Sequence, residues 1–379
     1  MKVTVVSHTY VTAMNQSKVQ ALTKYFSAVH LIAPTVVKDT LREIRFNLMD
    51  GAQFSSSVVP SYFDFHNSTR IYHPQQLQQA LTENPSDLWL VEQEPYSLST
   101  LQILLLKKKL KAKVMLYSFQ NIFKNYPIPF RWVEKKCLQL SDGLVVGSES
   151  ARDVWIQKGY SKDKIHILPQ VGVDLDFFEP RNAQEARKNL SIPDLWTFGF
   201  AGRLVEEKGV QVLLQAMSVL KKYNFQILIV GRGPYEESLR KICEKNGLSS
   251  RVHFIGAPTH EQMPKFLQAM DVLVLPSLTR PHWREQFGHV LIEAMSCERP
   301  CLGSDYDPIN KIIKECGFIF TEGDSYSLAE KMLILMNNRI ATQELGLKAR
   351  EIVRQNYTNE CIAKNLFNIS KDLISGTLL

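Results

Sequence analysis

The chain has 379 residues, of which 45% are hydrophobic and 22% charged, with a formal net charge of +7. That composition excludes a disordered or fibrous protein, and the length suits two domains of about 180 residues each better than a single core. No apolar run reaches the roughly 18 residues needed to span a bilayer, and the opening MKVTVVSH reads as a strand rather than a cleaved leader, so the expected location is cytoplasmic, with peripheral attachment to the inner membrane face as an option.

In chain order, residues 2–7 form an apolar run expected to be a buried strand, and residues 16–26 have helical spacing. Further short apolar runs at 29–34, 87–93, 112–118, 142–148 and 164–170 alternate with helical segments at 96–110, 130–140 and 150–158. Strands alternating with helices indicate an α/β fold with a parallel, doubly wound sheet, whose ligands bind outside the carboxyl ends of the strands. Those ends carry His8, Glu92 to Glu94, and Ser118 to Asn121. His8 is a candidate acceptor-side or phosphate-side contact, weighed against a structural histidine, and Gln120 and Asn121 are acceptor-side candidates. The lysines at 107, 108, 109, 111 and 113 follow LQILLL. They read either as a solvated helix end or as a contact for an anionic membrane surface.

The pattern breaks into turns around residues 172–181 and then restarts. Strand-like runs at 197–204, 225–231, 252–258, 271–277, 300–305 and 317–320 are separated by helical segments, and three more helical segments close the chain. This is a second doubly wound sheet. The expected division is 1–178, 179–358 and a C-terminal helix over 359–379. The cysteines at 137, 243, 297, 301, 316 and 361 have no metal or disulfide spacing and are expected to be free thiols. No nucleic-acid motif accompanies the net positive charge, which suits anionic substrates or an anionic surface.

Four features of the second half converge. The loop GRLVEEKG places Arg203 and Lys208 beside a helix start, a natural seat for a diphosphate. The turn GRGP brings Gly231 and Gly233, which permit close backbone approach, and Ala257 and Pro258 end a third strand. Glu285 and Glu293 then stand eight positions apart, one in a loop before a helix beginning near Phe287 and one within it. At roughly 1.5 Å of rise per residue their carboxylates lie on the order of 10 Å apart, which suits two ends of one polar ligand better than a shared proton.

The ordered set Gly202-Arg203-Leu204, Lys208-Gly209, Gly231 to Pro234, Phe254 to Gly256, and Glu285-Gln286-Phe287-Gly288 with Glu293-Ala294-Met295 resembles the donor half of family 4 retaining glycosyltransferases. The resemblance implies the GT-B architecture: two doubly wound, Rossmann-like domains facing a cleft, with the C-terminal helix returning to the first domain. It implies transfer of a sugar from a nucleotide-diphosphate sugar with retention of configuration. Arg203 and Lys208 would bind the diphosphate, and Glu293 the ribose. Glu285, with the backbone of Gln286, Phe287 and Gly288, would hold the donor sugar, and Ala257 and Pro258 would lie near the base. The two cations make a metal or other cofactor unnecessary, although Asp305-Tyr306-Asp307 and Asp174-Leu175-Asp176 both spell D-x-D. The first loop lacks the paired glycines of similar enzymes and YSFQN lacks their histidine, which leaves the acceptor open. A nucleotide-sugar-binding scaffold without turnover is the alternative. A dinucleotide oxidoreductase would need a G-x-G-x-x-G after the first strand, and none is present.

Overall fold

A computed structural model describes residues 1–38, 43–64, 66 and 68–376. The chain divides into two compact units, Met1–Gly172 joined by the segment from Asn359, and Val173–Thr358. Residues 377–379 of the expected C-terminal segment lie outside the described residues.

In the first unit, β1 (Lys2–Val6), α1 (Ser17–Leu22) and β2 (Ala28–Pro34) are followed by a hairpin of β3 (Val36–Lys38) and β4 (Glu43–Arg45). Next come β5 (Ser55–Val59), a second hairpin of β6 (Ser61–Tyr62) and β7 (Ile71–Tyr72), and α2 (Pro74–Glu83). The alternation then runs β8 (Leu88–Val91), α3 (Leu98–Leu110), β9 (Lys113–Ser118), α4 (Phe130–Leu140), β10 (Gly143–Val146), α5 (Glu149–Gln157) and β11 (Ile165–Ile167). Seven strands form one parallel sheet in the order β11-β10-β9-β8-β1-β2-β5. Because side chains alternate across a strand, Val3 and Val5 enter one core with Val19 and Leu22 of α1, while Val6 enters the other with Ile103 of α3 and Val133 of α4.

The second unit contains α6 (Ala183–Asn189), β12 (Trp196–Ala201), α7 (Val210–Val219), β13 (Phe225–Val230), α8 (Glu236–Asn246), β14 (Val252–Gly256), α9 (Met263–Ala269) and β15 (Val272–Leu275). It continues through α10 (His289–Ser296), β16 (Cys301–Ser304), α11 (Ile309–Ile313), β17 (Gly317–Phe320), α12 (Ser325–Asn337) and α13 (Arg339–Asn356). Its six strands are also parallel, in the order β14-β13-β12-β15-β16-β17, around one core that includes Phe198, Phe200, Leu213 and Ile292. Finally α14 (Asn359–Ser375) packs on α1 in the first unit, burying Ile362, Ala363 and Leu366 in the same core as Val19.

Both sheets have a switch point. In the second, the chain winds outward from β12 through β13 to β14, then returns to place β15 on the other side of β12. In the first, β1 is flanked by β2 and β8 in the same way. The crevice beyond such a reversal is where an open α/β sheet presents loops without a neighbour to fill the gap.

Candidate active site

Beyond β12 the chain makes the loop of Gly202 to Lys208 and enters α7; beyond β15 it passes through Pro276 and Ser277. These two segments meet because of Gly209. Its φ is +69°, and a Cβ there would lie 1.7 Å from the Pro276 carbonyl oxygen, so no other residue lets the backbones approach this closely. Leu278 N–H donates to the Glu207 carbonyl at 2.7 Å and closes the seam. The glycines at 231 and 233 have a similar purpose. A Cβ on Gly231 would sit 1.8 Å from Gly202 O and one on Gly233 2.2 Å from Leu204 O, so they permit one strand-end loop to lie on another.

Glu285 is the point of convergence. Lys208 Nζ donates to its Oε2 at 2.6 Å, and Ser277 Oγ donates to the same oxygen at 3.0 Å. The Tyr306 hydroxyl donates to the Glu285 carbonyl at 2.6 Å, and Ser304 Oγ holds the Ser277 carbonyl at 2.9 Å. Carboxylate, ammonium and hydroxyl are thus fixed by three separate strand ends. Burial and the Glu285 charge raise the Tyr306 hydroxyl well above its ordinary pKa, keeping it a neutral donor. The ammonium of Lys208 also lies 5.3 Å from the centre of the Trp283 ring.

The remaining donor-side candidates follow strands of the same sheet. Gln286 is exposed, and Phe287 packs edge-on against Tyr357 with centroids 5.9 Å apart. Gly288 directly precedes α10, which begins at His289, two residues later than expected, so Glu293 lies little more than one turn in. Glu293 is buried and hydrogen-bonded to His289 Nδ1 at 3.1 Å. Arg203 is exposed, and its guanidinium makes no side-chain hydrogen bond or ion pair among the described residues. Ala257, exposed, and Pro258 follow β14, where Arg232 lies against Gly256. Sequence reasoning missed Ser277, Tyr306, Trp283 and Arg232. A serine closing a strand at the switch point was the available signal for the first.

In each D-x-D triplet the first acid accepts backbone N–H groups. Asp174 Oδ1 accepts from Asp176 N–H at 2.9 Å and Phe177 N–H at 3.2 Å, and Asp305 Oδ1 accepts from Glu322 N–H at 3.0 Å. A cavity of about 480 Å³ lies at the other end of the sheet, against Trp196, Asp271 and Pro300 where strands begin, away from all these residues.

In the first unit, His8 follows β1, its Nδ1 buried and unpartnered among the described residues. Burial, and then the positive charge of Arg70, lower its pKa to about 4, so the ring is neutral. Arg70, which the sequence did not single out, is itself buried, with Nε bonded to Asp64 at 2.8 Å and one Nη buried without a partner among the described residues. Gln120 is buried, accepting from Lys158 Nζ at 3.3 Å and donating to the Ile122 carbonyl at 3.0 Å; Asn121 is buried beside it. The acids of the EQEPYS segment separate in role. Glu92 is fully buried and held by Lys18, by Tyr10 at 2.7 Å and by Gln170 at 2.7 Å. Glu94 accepts from Ser118 Oγ at 2.6 Å and Phe119 N–H at 2.8 Å, yet burial outweighs both bonds and raises its pKa to about 7.

The six cysteines are free thiols, and no helix among the described residues is long and apolar enough to cross a membrane. Among the described residues there is also no cluster of three or more His, Cys, Asp or Glu side chains able to hold a metal ion.

The chain is 23% identical over 250 residues to an alpha-D-kanosaminyltransferase of Streptomyces kanamyceticus, covering 64% of each chain. It is 29% identical over 232 residues to a phosphatidyl-myo-inositol mannosyltransferase of Mycobacterium leprae, covering 60% of this chain and 58% of that one. Each match therefore spans less than two thirds of the relative's own length. Among solved structures, sucrose-phosphate synthase from Thermosynechococcus elongatus superposes with a TM-score of 0.72 at 19% identity over 99% of this chain and all of the other. Anabaena HepE in complex with UDP does so with a TM-score of 0.74 at 16% identity, covering 97% and 98%. The fold is GT-B, and residues 182–352 match the family model described as Glycosyl transferases group 1.

Proposed function

We propose that the protein transfers a sugar from a nucleotide-diphosphate sugar to a lipid, glycan or small-molecule acceptor, retaining the anomeric configuration and using no metal ion. The observation that carries this reading is the convergence of Lys208 and Ser277 on Glu285 Oε2 at the switch point of the second sheet. Lys208 has three donors and commits one to Glu285, so others remain for diphosphate oxygens, and the exposed guanidinium of Arg203 adds a second fixed cation. As the sugar–phosphate bond breaks, negative charge grows on the departing diphosphate, and preorganised cations stabilise that state more than the ground state. Glu285 orients the sugar together with the backbone of Gln286, Phe287 and Gly288. Glu293 takes the ribose hydroxyls, and Ala257 and Pro258 border the base.

The relatives' names support a hexosyl group and a nucleotide-sugar donor. The mannosyltransferase named above acts on a phosphatidylinositol, which supports a lipid acceptor. Both D-x-D triplets accept backbone N–H groups, and this supports a diphosphate held by side-chain cations alone.

A panel of nucleotide diphosphates and their sugars, read by thermal unfolding, tests the donor: a ligand at about 100 times its Kd adds about 2.7 kcal/mol of stability. Product analysis by NMR then reads the anomeric configuration, and transfer in excess chelator reads metal dependence. An inverted product or loss of transfer in chelator overturns the corresponding part. Nucleotide-sugar binding without hydrolysis or transfer across many acceptors would leave a scaffold as the better reading.

A further inference from the structure

We propose that the outer face of α3 and α4 in the first unit docks on an anionic lipid bilayer, which presents the acceptor at the membrane surface. Between Tyr96 and Ser141 the sequence has nine basic residues and one acid, Glu134, so this stretch alone exceeds the net charge of the whole chain. Glu134 is buried and paired with Lys158 at 2.6 Å, leaving the surface of the stretch without an acid of its own. The lysine run that stands out in the sequence is divided by the fold. Lys107 and Lys113 both turn to Asp142, at 2.6 and 3.6 Å, whereas Lys108 and Lys109 are exposed.

The helices α3 and α4 connect successive neighbours in the sheet and pack side by side over one core, so their outward faces are continuous. On α3 that face holds Leu105, 65% exposed, with Lys108 and Lys109 at helical spacing. On α4 it holds Trp132, 54% exposed, with Arg131, Lys135 and Lys136 around it. The loop entering α4 adds Ile128, 74% exposed, Phe123, 40% exposed, and Lys124. None of these cations is ion-paired among the described residues.

Large apolar side chains standing singly among lysines, with a tryptophan at the centre, match the chemistry of the headgroup boundary, where apolar tips enter the acyl region and cations meet lipid phosphates. An acidic protein would match the charge and leave the protruding Trp132 and Ile128 unexplained. The loop of Phe123 and Ile128 also follows β9, and therefore leaves the same sheet edge as His8, Glu94 and Gln120. A lipid-borne acceptor would thus arrive beside the strand ends.

The experiment is sedimentation of the whole protein with vesicles of phosphatidylcholine, alone or mixed with phosphatidylglycerol. Retention is expected only on the mixed vesicles, and it falls as salt is raised. Lys135→Gln with Lys136→Gln weakens partitioning roughly 30-fold, while the same charge change on the second unit, Lys245→Gln with Lys265→Gln, does not. Trp132→Ala lowers retention at constant charge. Thermal unfolding of each variant at the wild-type temperature shows that folding is intact. No retention, equal retention on neutral vesicles, equal loss in both lysine pairs, or retention indifferent to Trp132→Ala overturns the proposal. Because binding is read without turnover, its failure leaves the donor-site reading standing, and a failed donor panel leaves this one standing.

Discussion

Lys208 and Glu285 are 77 positions apart in sequence, yet the ammonium and carboxylate meet at 2.6 Å, with 15% and 11% of the two side chains' surface open to solvent. A pair this dry has to be matched, because removing one member leaves a half-buried charge. Lys208→Met and Glu285→Gln are each expected to destabilise the protein, and the double variant by less than their sum, with a coupling of about 0.5–3 kcal/mol. Transfer should fall about 100- to 1,000-fold for either single change, the scale of losing one preorganised charge at a reacting centre. Urea unfolding and initial rates on the same four proteins measure both. Additive stabilities would mean that the pair does not act as a unit.

Gly209 sets that pair in place, and its geometry predicts the outcome of a minimal substitution. Gly209→Ala combines a positive φ with a methyl group driven into the Pro276 carbonyl, and backbone cannot swing aside as a side chain can. Gly247, φ +61°, is the control: its Cβ would meet only the end of the Lys221 side chain, at 3.1 Å. Gly247→Ala should cost about 1 kcal/mol. Gly209→Ala should cost more and abolish nucleotide-diphosphate binding, both read in one thermal-shift experiment with and without ligand.

The contrast between those two glycines also shows what the sequence could and could not reveal. Parallel strands covered on both faces must be continuously apolar, so KVTVV, LWLV and FQILIV announce themselves. The edge strand Ser55–Val59, SSSVV, has no such need, and the hairpins built on Val36–Lys38 and Ser61–Tyr62 are too short to show a period. The strands between residues 35 and 72 accordingly went unread, and Arg70 beside His8 went unseen with them. The segments that bring Lys208 to Glu285 were legible as an ordered motif. The Tyr306 and Ser277 contacts were not, because each depends on which strand ends the topology makes neighbours.

Tyr306 supplies a narrower test of the donor site. Its hydroxyl touches the backbone of Glu285, not the carboxylate, so Tyr306→Phe removes one hydrogen bond and no charge. The stability cost should be about 1 kcal/mol. If the Glu285 loop orients the donor sugar as proposed, loosening it should lower kcat more than it raises KM for the donor. A variant with wild-type kcat would show that Ser277 and Lys208 fix Glu285 without the tyrosine.

The first unit holds two groups, Glu94 and His8, whose titrations oppose one another. The Glu94 pKa is raised to about 7 by burial, so the folded protein binds its proton more tightly than the unfolded chain. Stability from this group is full below the ordinary carboxyl range and is lost as pH rises to about 7. The His8 pKa is lowered to about 4, chiefly by burial, so its contribution is present above the ordinary imidazole value near 6.5 and is lost as pH falls toward 4. Between about pH 4.5 and 6.5 the two slopes have opposite signs and offset each other in the wild type. Glu94→Gln should therefore gain on the wild type as pH rises through this window, by up to about 3 kcal/mol once both states are ionised. His8→Asn should lose ground over the same interval. Urea unfolding of the three proteins across that range measures the differences directly, and parallel curves would show that neither group titrates as its burial requires.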